Sequence, residues 1–278
     1  MVINMPEEKD FRPVGELPEE EQEEKKKKRP LLVFFLIIGI LLLIGGGIYT
    51  GIYLYSVFEP EPETTTRVVA TVPETEDNRI PNPIDFAALQ AENDEQIAWI
   101  KVPGTNVDYP ICQSQTDENF YLKHKASDKS WSEPGAVFIQ LHNNIDFNDR
   151  VTLVYGHNGY SDKMFATLHY FDKADFFDEH DTFYIYTPTA VKTYEIISVF
   201  KYDDRHIMNS FDFQNDEVFL DFLHMIQHPE STMKHTRDSF PRDLDINDKV
   251  VILSTCIWRQ NGVRFLVCGV LVNDEETY

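Results

Sequence analysis

The chain has 278 residues, of which 42% are hydrophobic and 13% aromatic, enough apolar material for one large core or two small ones. Its formal net charge is −22, and residues 1–30, with nine acids and seven bases, carry little of that excess. So acidic a chain excludes nucleic acid as a partner, because displacing phosphate counterions takes clustered Lys and Arg; it suits a secreted face that stays soluble or meets cationic wall components. Cys112, Cys256 and Cys268 are too few and too scattered for a disulfide framework. An odd count leaves at least one free thiol.

Residues 1–24 are acidic, polar and short of apolar anchors, and read as a disordered tail. The run Lys25-Lys26-Lys27-Lys28-Arg29 follows, and then Leu31 to Phe58 passes without a charge, long enough to span a bilayer with some tilt. Basic residues before such a segment hold the amino end in the cytoplasm and send the rest outside. A cleaved signal peptide is the competing reading. The apolar run is too long for one and lacks a small-residue cleavage site, so a single-pass, uncleaved signal anchor in the cell membrane is expected. The organisation is then a cytoplasmic tail with its basic stop over 1–30, an anchor over 31–58, a Pro/Glu/Thr-rich extracellular stalk over 59–80 and a folded extracellular domain over 81–278.

Within that domain the pattern predicts a helix over 84–91 and strands over 98–102 and 107–112, then a short helical turn at 119–122 and a strand at 135–139. A strand over 151–155 runs into Gly156-His157-Asn158, and helical turns with aromatics on one side occupy 164–180. Strands follow over 182–186 and 191–202, then an amphipathic helix over 216–227 with Val218, Phe219, Phe222 and Met225 or Ile226 on its apolar face. The strand Val250 to Cys256 and a strand opening at Arg264 close the domain. Many strands with few helices between them predict a mainly β fold, an antiparallel or mixed barrel carrying helical insertions.

Three side chains at strand ends carry the chemistry. Cys256 ends an apolar run after the polar pair Ser254-Thr255, whereas Cys112 and Cys268 are embedded in apolar strands and read as core. His157 differs from the other eight histidines because Gly156 breaks the strand just before it, letting the backbone turn the ring out of the core. Arg264 is costly to bury unpaired, and a strand holds it more firmly than the loop around Arg259 holds that rival cation. A thiol, an imidazole and a fixed cation are the parts needed for acyl transfer through a thioester. His224 and His228 stand four apart on one helix face, but no third ligand or adjacent Glu accompanies them, so no metal is expected.

The ordered set Trp99-Ile100, Gly104-Thr105, Asp108-Tyr109-Pro110, Tyr121-Leu122, Gly135-Ala136-Val137-Phe138, Tyr155-Gly156-His157-Asn158, Met164-Phe165, Leu168 and Leu253-Ser254-Thr255-Cys256 with Arg264 resembles the sortases, and specifically class B. The resemblance covers most of residues 81–272, and the helix near 216–228 looks like the insertion that marks that class. It implies an eight-stranded sortase-type barrel and a membrane-anchored cysteine transpeptidase on a Gram-positive surface, with no cofactor. By that resemblance Cys256 is the nucleophile toward the Thr carbonyl of a C-terminal sorting signal, His157 the acid and base, and Arg264 the oxyanion or backbone donor. It also places Leu122, His206, Ile207 and Ser254 along the substrate groove. Gln140 stands where relatives usually carry Asp, Gly159 where many have Met, and Glu118 where Asn is common. The partners implied are surface proteins bearing the signal and a peptidoglycan amine. A pilin-polymerising enzyme and an inactive binding module on the same barrel are the alternatives.

Overall fold

The computed structural model describes residues 34–35, 37–49, 51, 79–159, 162–237, 240–257 and 259–278. It divides into two units, Met1–Tyr55 and Ser56–Tyr278. In the first, residues 37–49 are helical and nearly all exposed. Among the described residues no helix is long and apolar enough to cross a membrane. The expected tail over 1–30, both ends of the expected anchor and nearly all of the expected stalk lie outside the described residues.

The second unit is built from runs of β-branched and aromatic residues that pair into one mixed sheet. Its strands are β1 (Gln96–Lys101), β2 (Asp108–Cys112), β3 (Val137–Ile139), β4 (Val151–Tyr155), β5 (Thr182–Thr187), β6 (Ala190–Asp203), β7 (Lys234–Thr236), β8 (Val250–Ile257) and β9 (Gln260–Glu276). The order is β5-β1-β2-β3-β4-β8-β9-β6-β7, and β5 also pairs with β6. That last pairing closes eight strands into a ring and leaves the short β7 as an appendage on β6, so the expected eight-stranded barrel is the observed one. Closure removes the open edges on which sheets aggregate. The β2–β3 and β4–β8 pairs are parallel and the others antiparallel.

Side chains alternate across a strand with period two, and β8 shows what that does. Val251 and Leu253 point into the barrel core with Phe265 and Val267 of β9. Val250 and Ile252 point to the outer face with Leu266, Cys268 and Val270, where a second core forms. Its cover is helix α4 (Asp216–Gln227), which follows α1 (Phe86–Glu92), α2 (Ala174–Glu179) and α3 (Ile207–Ser210) in the chain. Phe219, Phe222, Leu223 and Ile226 are the buried face of α4. Leu223 takes the place expected of Val218, because the sheet lies nearer the 219–222–226 stripe. The Ser198 hydroxyl of β6 donates to the Ile226 carbonyl and ties the end of the helix to the barrel. Both faces of β8 are therefore covered along most of its length, and so it reads as an unbroken apolar run.

Some predicted boundaries move. The strand containing Arg264 begins four residues earlier, at Gln260, because β8 and β9 form a tight hairpin with Arg259 at φ 60°. The turn around Arg259 is thus the tip of a ladder. Residues 164–180 divide into a 3₁₀ segment, Ala166–Asp172, and α2. The three-residue β7 and the single turn α3 are too short for a periodic signal.

Asn215 caps α4, its side chain accepting from the Glu217 and Val218 amides at 2.9 and 3.3 Å. Asn215→Ala is expected to cost about 1 kcal/mol, read as a lower denaturant midpoint with an unchanged slope.

Candidate active site

The outer face of β8 and β9 changes character where α4 stops covering it. Continuing the even-numbered positions of β8 leads from Ile252 through Ser254 to Cys256, and of β9 from Leu266 back to Arg264. Cys256 and Arg264 are cross-strand partners in the ladder. Their side chains emerge side by side, and Arg264 Nη1 donates to Cys256 Sγ at 3.1 Å. Cys256 is exposed, whereas Cys112 and Cys268 are fully buried and all three thiols are free. Burial pushes the Cys268 thiol up to about 12 and that of Cys112 higher still. Only Cys256 can present a thiol to a substrate.

His157 reaches the same region from β4, which runs parallel to β8 as far as the pair Tyr155–Ser254. The Gly156 amide then donates to the Ser254 carbonyl at 3.2 Å. Gly156 serves this turn in a different way from the one its sequence position suggested. Its φ is ordinary, but a Cβ there would stand 2.5 Å from the Phe165 ring. Phe165 is fully buried, and its amide donates to the His157 carbonyl at 2.9 Å. Glycine is therefore needed for close packing: the Phe165 ring lies against the strand end while the Phe165 amide anchors the His157 carbonyl.

His157 Nε2 lies 2.9 Å from the Leu122 carbonyl. A carbonyl only accepts, so Nε2 carries a proton and Nδ1 is the nitrogen that titrates. Desolvation holds the ring below the usual histidine range, Lys123 and Arg264 push it the same way, and the Leu122 carbonyl and Glu133 oppose them. The Arg264 guanidinium also stands near Tyr155, a half-buried ring stacked on Phe138 whose hydroxyl burial makes hard to ionise.

The residues expected along a groove divide. Leu122 is half-exposed and adjoins His157 through its carbonyl. Ser254, two before Cys256 on the same face, is buried. The His206 side chain accepts from the Asn209 amide at the start of α3, and its Nε2 stands 2.8 Å from Gln140 Oε1. Ile207, the first residue of α3, is buried in the second core with residues of α4. Two groups that the sequence did not single out touch the nucleophile's backbone: Asn158 Nδ2 and His169 Nε2 lie 3.1 and 3.0 Å from the Cys256 carbonyl. His169 is 87 residues from Cys256, and no spacing rule links them; Asn158 was visible only as the neighbour of His157.

The family model for the sortase domain matches residues 100–272. The chain belongs to the sortase family. Clostridium perfringens sortase B is 31% identical, with a TM-score of 0.60 over 67% of this chain and 99% of that one, which places the chain with class B. Sortase B of Listeria monocytogenes is 28% identical over 168 residues, 60% of this chain; the match spans 65% of that relative's length, just under two thirds. A Streptococcus pyogenes class B sortase involved in pilus biogenesis is 28% identical with a TM-score of 0.56, over 68% of this chain and 98% of that one.

Two consequences are measurable. Glu133 forms an ion pair with Lys123 at 2.6 Å, so Glu133→Gln removes an anion that favours imidazolium and leaves a cation that opposes it. The His157 titration, followed by NMR of its ring protons, is expected to move to lower pH. Gly156→Ala forces the buried Phe165 aside; it is expected to cost about 1–3 kcal/mol in thermal or chemical unfolding, and to slow any reaction that uses His157.

Proposed function

We propose that this class B sortase is a membrane-anchored cysteine transpeptidase that joins proteins bearing a C-terminal sorting signal to an amine of the cell-wall peptidoglycan. The observation that carries the reading is the 3.1 Å contact from Arg264 Nη1 to the one exposed thiol, Cys256. In the proposed cycle the Cys256 thiolate attacks the carbonyl of the Thr in the signal. The negative charge that develops on that oxygen is held by the Arg264 guanidinium, fixed in advance by the β8–β9 ladder. His157, protonated at Nδ1, gives that proton to the departing amine, which leaves a thioacyl-enzyme. The neutral ring then removes a proton from the incoming amine as it attacks the thioester, and the free thiolate returns. The depressed ring favours the neutral form that the second half-reaction needs.

Anchoring is supported by the uncharged stretch 31–58 behind Lys25–Arg29, of which residues 37–49 are helical. In this reading the amino end is cytoplasmic and the barrel faces the wall of a Gram-positive cell. The groove runs past Leu122 and His206 toward Cys256, with Ser254 in its floor. No cofactor takes part.

The similarity to the Streptococcus pyogenes class B sortase involved in pilus biogenesis favours a second reading, in which the acceptor is a lysine of another pilin. Offering the acyl-enzyme a pilin lysine and a peptidoglycan amine in competition separates the two. A binding module with an idle thiol differs from both, since in that case iodoacetamide labels Cys256 no faster than a small peptide thiol.

The test is intact mass of residues 59–278 after incubation with a small set of sorting-signal peptides. The expected result is an increment equal to the amino-terminal fragment of one peptide, absent in Cys256→Ala. Arg264→Ala is expected to lower the acylation rate about 100- to 1,000-fold, the range for loss of one oxyanion donor. No adduct with any peptide, or cleavage by Cys256→Ala, overturns the reading.

A further inference from the structure

The backbone of Cys256 poses a problem that the ladder does not solve. Backbone carbonyls alternate sides along a strand, and the Ser254 carbonyl faces β4, where the Gly156 amide donates to it. The Cys256 carbonyl, two residues on, faces the same side, but β4 has ended at Tyr155. On the other side the β8–β9 register slips between Cys256 and Ile257. The residue that bears the thiol is thus the last on β8 in regular register, with no strand beside it on one flank.

Two side chains occupy that gap. Asn158 Nδ2 lies 3.1 Å from the Cys256 carbonyl and His169 Nε2 3.0 Å, while the two nitrogens are 3.2 Å apart. If His169 Nε2 were unprotonated, its lone pair would point at the lone pairs of the carbonyl. With Nε2 protonated, both groups donate to one oxygen, which has two lone pairs to accept them. The His169 ring also lies against Phe265, centroids 4.8 Å apart, and Phe265 is the buried neighbour of Arg264 on β9. Burial favours the neutral ring.

We infer that His169 and Asn158 are positioning residues that replace the missing strand beside Cys256: their two donors hold its carbonyl, and the His169 ring braces Phe265 behind Arg264, so that Sγ and the guanidinium keep their spacing. The inference rests on the transpeptidase reading of Cys256. Neither side chain exchanges protons or touches substrate. Their contribution lies in holding the nucleophile where the reacting carbonyl arrives, and small misplacements of reacting groups are costly in rate.

The experiment compares wild type, His169→Leu, His169→Gln and Asn158→Ala by the kinetics of thioacyl formation, with melting temperature and circular dichroism as controls. Leu keeps an apolar contact with Phe265 but cannot donate, whereas Gln can donate from Nε2. Loss of one hydrogen bond predicts a kcat for acylation about five- to tenfold lower in His169→Leu, with KM little changed. His169→Gln is expected to recover most of the loss. Asn158→Ala is expected to fall by a similar factor, and it keeps the test decisive should His169→Leu fail to fold. A folded His169→Leu within twofold of wild type, a His169→Gln as slow as His169→Leu, or an Asn158→Ala with the wild-type rate overturns the inference. Failure of the wild type to acylate at all is a different result and counts against the transpeptidase reading instead.

Discussion

Everything at the site depends on the position of β8 between two neighbours, β4 in parallel and β9 in antiparallel. Hydrogen-bonded on both flanks and covered on both faces as far as Ser254, β8 has no freedom of register, since a slip of one residue would turn its core positions outward. That constraint decides the fate of three consecutive side chains. Ser254 faces the outer surface at the edge of the second core, Thr255 faces the barrel interior, and Cys256 faces outward beyond the reach of α4. The ladder that seats Cys256 opposite Arg264 is the same one that seats Leu253 opposite Val267 in the core. Catalytic geometry is here an extension of packing geometry.

Three segments converge on this strand end by unrelated means. β9 brings Arg264 by register. β4 brings His157 by ending at its last pairing with β8, one residue before a glycine where only hydrogen fits against Phe165. The 3₁₀ segment Ala166–Asp172 brings His169, with Thr167, Leu168 and Phe171 buried on its inner side. The Phe165 amide joins the last two routes by binding the His157 carbonyl. Movement at the histidine loop is therefore felt at the nucleophile's backbone as well as at the imidazole.

The barrel was legible in the sequence because β-branched runs such as Val250–Leu253 and the alternating β6 have few alternatives, and helix α4 because Phe219, Phe222 and Ile226 repeat at helical spacing. Cys256 stood apart from Cys112 and Cys268 because polar residues preceded it. What stayed hidden depends on contacts between distant segments. The sequence shows that Gly156 interrupts a strand, but not that an aromatic ring nine residues on claims the space of its Cβ. His169 has an aromatic and charged setting like those of several other histidines, and only folding sets its ring beside the Cys256 carbonyl. That Ile207 packs into the second core with the residues of α4 is likewise set by contacts whose extent no local pattern reveals.

The distribution of the thiols has a consequence for damage. Cys112 and Cys268 are sealed in the core with ionisation suppressed, and Cys256 stands alone at the surface. Wherever an oxidant meets this domain it finds a single accessible thiol, the working sulfur, and a sulfenic acid formed there has no second cysteine within reach to trap it as an intramolecular disulfide. Recovery must then come from a thiol supplied from outside the chain, before further oxidation makes the loss permanent.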